Sequence, residues 1–216
     1  MTRSATLLVI AKSPIPGRVK TRLCPPCTPQ EAARLAEAAL ADTLEAVAAV
    51  PARRHVIALD GPAGPWLPHQ FTVMPQVGTG LAERLGNAFS QVRGPAFLVG
   101  MDTPQLDADM VAIALELLAR SDAVLGPALD GGWWGIGLRR PDARVFDRVE
   151  MSTNHTHRQQ LDRLHALGLR TRALEPLRDV DNLHDALEVA RSAPTTRFAR
   201  AVAELAPSLH VRVPAR

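Results

Sequence analysis

The chain has 216 residues, 46% of them hydrophobic and 22% charged, with a formal net charge of +3. That length and balance fit one globular domain with a large core and exclude a disordered or low-complexity class. The arginines are dispersed, which argues against a basic strip for nucleic acid, and no apolar run reaches the roughly 20 residues needed to span a bilayer.

Ala5 to Ala11 is an apolar run that reads as a buried first strand, and it leads into charged residues rather than a secretory leader. A cytoplasmic location is therefore expected. Lys12 to Leu23 follows as a loop with two prolines, Gly17 and the cations Lys12, Arg18, Lys20 and Arg22. Proline stiffens the backbone, glycine permits close approach, and lysine and arginine supply a point charge and a two-pronged donor for phosphate. The loop lacks the Gly-x-x-x-x-Gly-Lys-Ser/Thr pattern of a Walker motif. Cys24 and Cys27 frame two prolines, with no second cysteine pair. A rigid loop is expected there rather than a redox dithiol or a zinc site.

Thr28-Pro29-Gln30-Glu31 is a capping box with proline at the first helical position, and it predicts a helix to about Val50. Arg54 to Asp60 predicts a second strand ended by a turn-capping Asp60. Trp66 in the Pro-rich loop that follows is expected to anchor packing. Phe71 to Pro75 predicts a third strand, followed by Gly78 and Gly80 before a helix from Leu81 to Val92. Glycines at a helix N-terminus open a binding edge, so Gly78 and Arg84 are candidate nucleotide contacts.

Ala96 to Gly100 is a strand buried on both faces that ends in a carboxylate, Asp102, followed by Pro104. An acid at the carboxyl end of such a strand either binds a divalent cation carrying phosphate oxygens or caps a turn, with Pro104 starting the next element. A helix from Asp107 to Arg120 and a strand from Ala123 to Ala128 come next. The glycine-rich run Asp130 to Leu138, around Trp133 and Trp134, reads as a wall close to a flat ligand group, entered by an Asp-Gly-Gly turn. Helices are expected over Ala143–Val149 and His155–Leu167, and a strand over Leu169–Glu175. His155, His157 and His165 lack zinc-ligand spacing and read as surface residues. Asp179 and Asp181 are a carboxylate pair just past a strand and ahead of a helix, which could complete the site begun by Asp102 or equally serve as an N-cap, for which Asn182 is well placed; a last helix follows Thr195.

Four blocks occur in order: Ala11-Lys12-x-Pro14-x-Pro16-Gly17-x-Val19-Lys20-Thr21-Arg22-Leu23, Gly100-x-Asp102-x-Pro104, Gly126-Pro127-Ala128-x-Asp130-Gly131-Gly132 and Asp179-Val180-Asp181. Together they resemble the signature of DUF2064, the selenodomain-associated transferase 1 group, over about Leu7 to Ala190. That family is similar to molybdopterin and phospholactate nucleotidyltransferases and to nucleotide-diphospho-sugar transferases. The resemblance implies a GT-A-like fold with Asp102 and Asp181 as carboxylates for Mg²⁺ or Mn²⁺. It further implies that Lys12, Gly17, Lys20 and Arg22 form the nucleotide-phosphate loop. Asp130, Gly131 and Gly132 are implied for the acceptor wall, with Ser152 and Thr153 beside it; Met151 stands where the family carries an aromatic.

The expected architecture is a single α/β sandwich with a mostly parallel sheet, a domain over 1–206 and a tail over 207–216. The expected function is metal-dependent transfer from a nucleotide donor, with Lys20, Arg22 and Asp102 as catalytic residues. The leading reading is nucleotidyl transfer from a nucleoside triphosphate to a small phosphorylated or carboxylate acceptor. Glycosyl transfer from a nucleotide sugar is the alternative, and a non-catalytic nucleotide-binding regulator is the third.

Overall fold

The computed structural model describes residues 4–212, with side chains through 207; residues 213–216 of the expected tail lie outside the described residues. Seven strands form one sheet: β1 (Thr6–Lys12), β2 (Arg54–Asp60), β3 (Phe71–Pro75), β4 (Ala96–Gly100), β5 (Ala123–Pro127), β6 (Trp133–Leu138) and β7 (Thr171–Ala173). Their order across the sheet is β3-β2-β1-β4-β6-β5-β7. All neighbouring pairs are parallel except those of β6, which runs antiparallel to both β4 and β5. The sheet is therefore mostly parallel, as the sequence predicts, with one reversed strand near its centre.

Alternation along the strands assigns the two faces. Leu7 and Val9 of β1, Ile57 and Leu59 of β2 and Phe97 and Val99 of β4 point to one side. They pack beneath α1 (Pro29–Ala48) and α3 (Ala108–Arg120). Leu8, Val56, Ala58 and Leu98 point to the other, beneath α2 (Leu81–Ser90) and α4 (Thr156–Ala166). Period-two alternation with both sets apolar is what a sheet covered on both faces requires. A third cluster joins α1 to α5 (Leu183–Ser192) and α6 (Arg197–Arg212) through Leu35, Ala39, Val189 and Phe198.

The expected capping box is present. Glu31 N–H donates to Thr28 Oγ1 at 3.2 Å while Glu31 Oε2 accepts the Thr28 N–H at 2.7 Å. Asn182 and Asp185 form a second box at the start of α5. Three expected elements differ. Ala143–Phe146 is a short 3-10 turn rather than a helix to Val149, and the late strand is confined to Thr171–Ala173. The run from Trp133 to Leu138 is a strand, β6, and not only a ligand wall.

α6 continues through Pro207 to Arg212. Among the described residues no helix is long and apolar enough to cross a membrane. Cys24 is half-buried and Cys27 buried, and neither is in a disulfide, and Trp66 packs against the α1–α3 side of the core.

Candidate nucleotide site at the sheet edge

β1 connects through α1 to β2 on one side, while β4 takes its place on the other side of β1. This is the switch point of the sheet, where the loops leaving the carboxyl ends diverge and open a crevice. A cavity of about 820 Å³ lies there. It is lined by the end of β1 and its loop, the Thr79–Leu85 region, Gly100–Thr103, the β5–β6 turn, Met151–Asn154, Asp179 and Asp181.

The centre of the cavity is a set of opposed charges. Lys20 Nζ lies 2.7 Å from Asp102 Oδ1 and also donates to the Val180 carbonyl. The Lys20 side chain is only 7% exposed, so this cation sits inside the wall. Arg22 Nη1 lies 2.6 Å from Asp181 Oδ2. The backbone draws the two acidic segments together, since the Val180 N–H donates to the Asp102 carbonyl at 3.0 Å. Gln105 Nε2 adds a tie to the Arg178 carbonyl at 2.7 Å. Lys20 itself is in the left-handed region, with φ 49°, a conformation that costs a non-glycine residue on the order of 1–2 kcal/mol and clusters at functional sites.

The polar groups here are incompletely satisfied. Asp102 Oδ1 is buried and has Lys20 Nζ as its ion-pair partner but no hydrogen bond. Thr103 Oγ1 and Asp179 Oδ1 are likewise buried without a hydrogen bond. Burial pushes the Asp179 carboxyl up to about 8, reinforced by the charges of Asp102, Asp130 and Asp181 and opposed by Lys20. Buried polar atoms in native proteins are normally paired, and exceptions of this kind gather at sites that meet a ligand.

The flanks differ in character. On the β1–β3 flank, Arg84 Nη1 contacts Asp60 Oδ2 at 2.8 Å and Gln76 Oε1 at 3.3 Å, and its Nε donates to the Gly78 carbonyl at 3.1 Å. Asp60 is thus an ion-pair partner and not only a turn residue. Gln76 Nε2 in turn donates to the Ala11 and Ala58 carbonyls at 2.8 and 2.9 Å. On the opposite flank, Asp130 Oδ1 accepts the Gly132 N–H at 2.8 Å, shaping the turn into β6. Gly131 has φ +90°, and a Cβ there would lie 2.1 Å from the Asn154 carbonyl oxygen. The His157 N–H completes this interlock with the Gly131 carbonyl at 2.9 Å. Trp134 forms the floor, its Nε1 donating to the Glu175 carbonyl at 3.0 Å and its ring edge-on to Phe97.

Of the residues singled out from sequence, Lys12, Lys20, Arg22, Arg84, Asp102, Asp130, Gly132, Ser152, Thr153 and Asp181 line this one cavity. Gly17, Gly78 and Gly131 do not; they shape the loops behind it. Arg18 and Asp179, read from sequence as a loop cation and as one of a carboxylate pair, line the cavity as well, and so does Gln76, to which sequence reasoning gave no role.

Among the described residues, no group of three His, Cys, Asp or Glu side chains forms a ready-made metal cluster. The donors that are present are hard oxygens: Asp179 Oδ1 has no hydrogen-bond partner, and Asp102 Oδ1 has Lys20 Nζ as its ion-pair partner. They fit an Mg²⁺- or Mn²⁺-like ion that keeps waters and takes one or two carboxylates together with substrate phosphates.

The same fold is found in a candidate nucleotide-diphospho-sugar transferase from Desulfovibrio desulfuricans G20. That structure aligns at 25% identity and TM-score 0.87 over 97% of this chain and 98% of that one. Rv0371C from Mycobacterium tuberculosis H37Rv, solved in complex with manganese, aligns at 18% identity and TM-score 0.53, covering 88% of this chain and 98% of that chain. The 2-C-methyl-D-erythritol 4-phosphate cytidylyltransferase of Thermus thermophilus aligns at 16% identity and TM-score 0.53, covering 90% and 100%. No curated protein sequence matches the chain. Residues 32–153 match the family described as "Uncharacterized protein conserved in bacteria (DUF2064)", and the chain belongs to that family.

Proposed function

We propose that this protein transfers a glycosyl group from a nucleotide-diphosphate sugar to a small acceptor. The observation that carries the reading is the charge arrangement at the switch point. Five cations, Lys12, Arg18, Lys20, Arg22 and Arg84, line one cavity with Asp102, Asp179 and Asp181. A diphosphate needs such cations, and a leaving nucleoside diphosphate gains most from those placed where its charge develops. The likeness to the Desulfovibrio protein supports the donor class.

In this reading Lys20 and Arg22 exchange their carboxylate partners for diphosphate oxygens when the donor binds. Lys12 and Arg18, which have no ion-pair partner among the described residues, add charge without having to break a contact. Asp102 and Asp179 would hold Mg²⁺ or Mn²⁺, with Asp181 free to join once Arg22 moves; when bound, that ion neutralises charge on the diphosphate as Lewis acid. Gln76 and Arg84 would flank the base. The role of each residue is part of the proposal.

Nucleotidyl transfer from a nucleoside triphosphate is the second reading, favoured by the cationic run from Arg18 to Arg22, which also suits a leaving pyrophosphate. The two separate by product. With Mg²⁺ or Mn²⁺ present, nucleoside diphosphate release from UDP- and GDP-sugars is expected, with no pyrophosphate from the four nucleoside triphosphates. The opposite pattern would replace the proposal by nucleotidyl transfer. Tight nucleotide binding without turnover of either donor class would favour a non-catalytic regulator.

A further inference from the structure

The two flanks of the cavity carry different chemistry. All five lining cations lie at the end of β1, in the loop after it or on α2. The other flank is built from the β5–β6 turn and the segment before α4. It presents Asp130, Trp133, Met151, Ser152, Thr153 and Asn154. Among the described residues it contributes no cation to the lining.

A phosphate or carboxylate placed on that flank would face the Asp130 carboxylate with no positive group of that flank to repay its lost hydration. An uncharged hydroxyl-bearing molecule meets no such opposition. Its apolar body can lie on Trp133 and Met151, as apolar faces do on aromatic and thioether side chains. Its hydroxyls find Ser152, Thr153 and Asn154, and the Trp133 indole N–H is a buried donor with no partner. Asp130 uses Oδ1 on the Gly132 N–H, and Oδ2 has no hydrogen bond among the described residues.

We infer that the acceptor is an uncharged, hydroxyl-bearing molecule with an apolar face, such as a glycoside, and that Asp130 takes up the proton of the attacking hydroxyl. The inference rests on the donor being a nucleotide-diphosphate sugar. In the step, the acceptor oxygen forms a bond to the anomeric carbon as the bond from that carbon to the diphosphate oxygen breaks. The bonding pair leaves with the nucleoside diphosphate, and the hydroxyl proton passes to the Asp130 carboxylate. On this inference the acceptor differs from the phosphorylated or carboxylate one expected from sequence for nucleotidyl transfer.

The test compares phenyl β-glucoside, its carboxylate counterpart phenyl β-glucuronide and a phosphorylated glucose as acceptors in a nucleoside diphosphate release assay. Binding of the same probes, with nucleoside diphosphate and Mg²⁺ present, is read from tryptophan fluorescence. The neutral glycoside is expected to bind, and to exceed both anions at least about tenfold in kcat/KM, the scale of one mispaired charge in a site. Asp130→Lys is expected to reduce that ratio tenfold or more. Asp130→Asn, which keeps an oxygen for the Gly132 N–H, is expected to lower kcat about 100-fold, the scale of a lost general base, with little change in KM. Equal or better use of the anionic acceptors, an unchanged ratio in Asp130→Lys, or neutral probes that neither bind nor react would overturn the inference. Pyrophosphate release from triphosphates with the neutral preference retained would instead overturn the donor assignment and leave the acceptor class standing.

Discussion

Lys20 crosses from the β1 loop to place Nζ 2.7 Å from Asp102 Oδ1, a carboxylate 82 residues away in sequence at the end of β4. The cation stands where three acidic side chains would otherwise face one another. Removing it by Lys20→Ala leaves Asp102 and Asp179 opposed only by one another. The pair is not fully enclosed, Asp102 being 39% exposed, so the expected loss is about 1–2 kcal/mol rather than the larger cost of a sealed pair. Urea unfolding measures it, and an unchanged midpoint would show that the pair contributes nothing to the resting fold.

Asp179 makes the stability of the ligand-free protein depend on pH. Its carboxyl is pushed up to about 8 by burial and by its acidic neighbours, from an ordinary value of 3.8. Between those values the folded chain holds a proton that the unfolded chain has released, so this group's contribution is full below pH 4 and is lost as pH rises toward 8. Thermal melts from about pH 6 to 8.5 are expected to fall in wild type and to flatten in Asp179→Asn, with the variant more stable at the upper end. A variant with the same slope as wild type would remove Asp179 as the source.

Gly131→Ala is a test of how the acceptor flank is assembled. The added methyl meets the Asn154 carbonyl oxygen at 2.1 Å, and φ +90° disfavours any side chain. Backbone atoms cannot step aside cheaply, so destabilisation of about 2–4 kcal/mol is expected. Gly17→Ala is the companion change: φ is +77° but nothing lies within 4 Å. Only the conformational cost of about 1 kcal/mol applies there. Similar losses at the two positions would mean that the 131–154 interlock is loose.

Arg84 and Asp60 should behave as one unit. Their contact at 2.8 Å is partly buried, with side chains 27% and 33% exposed. Double-mutant cycles with Arg84→Met and Asp60→Asn are expected to show coupling of about 0.5–2 kcal/mol in nucleotide affinity. Additive effects would place the two residues on separate tasks.

Much of the fold was legible because single segments carry their own signals. The apolar run of β1 and the Thr28–Glu31 box announce a strand and a helix start without outside help. β6 was hidden because Gly135 and Gly137 read as part of a wall close to a ligand. In the structure these glycines are packing positions, a Cβ at Gly137 lying 2.6 Å from Val124 Cγ2 and one at Gly135 lying 3.0 Å from Phe97 Cζ. Neighbouring side chains, not chain flexibility, demand the absence of a Cβ. At the site, the chemistry-bearing types were visible at Lys20, Arg22, Asp102 and Asp181. Their pairing was not, since contacts across 82 and 159 residues leave no local pattern. The depth of Asp179 was equally unreadable, because burial of a loop carboxylate is set by what folds over it.

The central claim is that the acids and cations at the β1–β4 switch point hold a divalent ion and a diphosphate together. It is tested most directly by thermal shift of wild type and Asp102→Asn with UDP or GDP, each with and without Mn²⁺. Wild type is expected to be stabilised more by nucleotide and Mn²⁺ together than by the sum of either alone, with that excess lost in Asp102→Asn. An excess that persists undiminished in Asp102→Asn, or no excess in wild type with either nucleotide, would contradict the account.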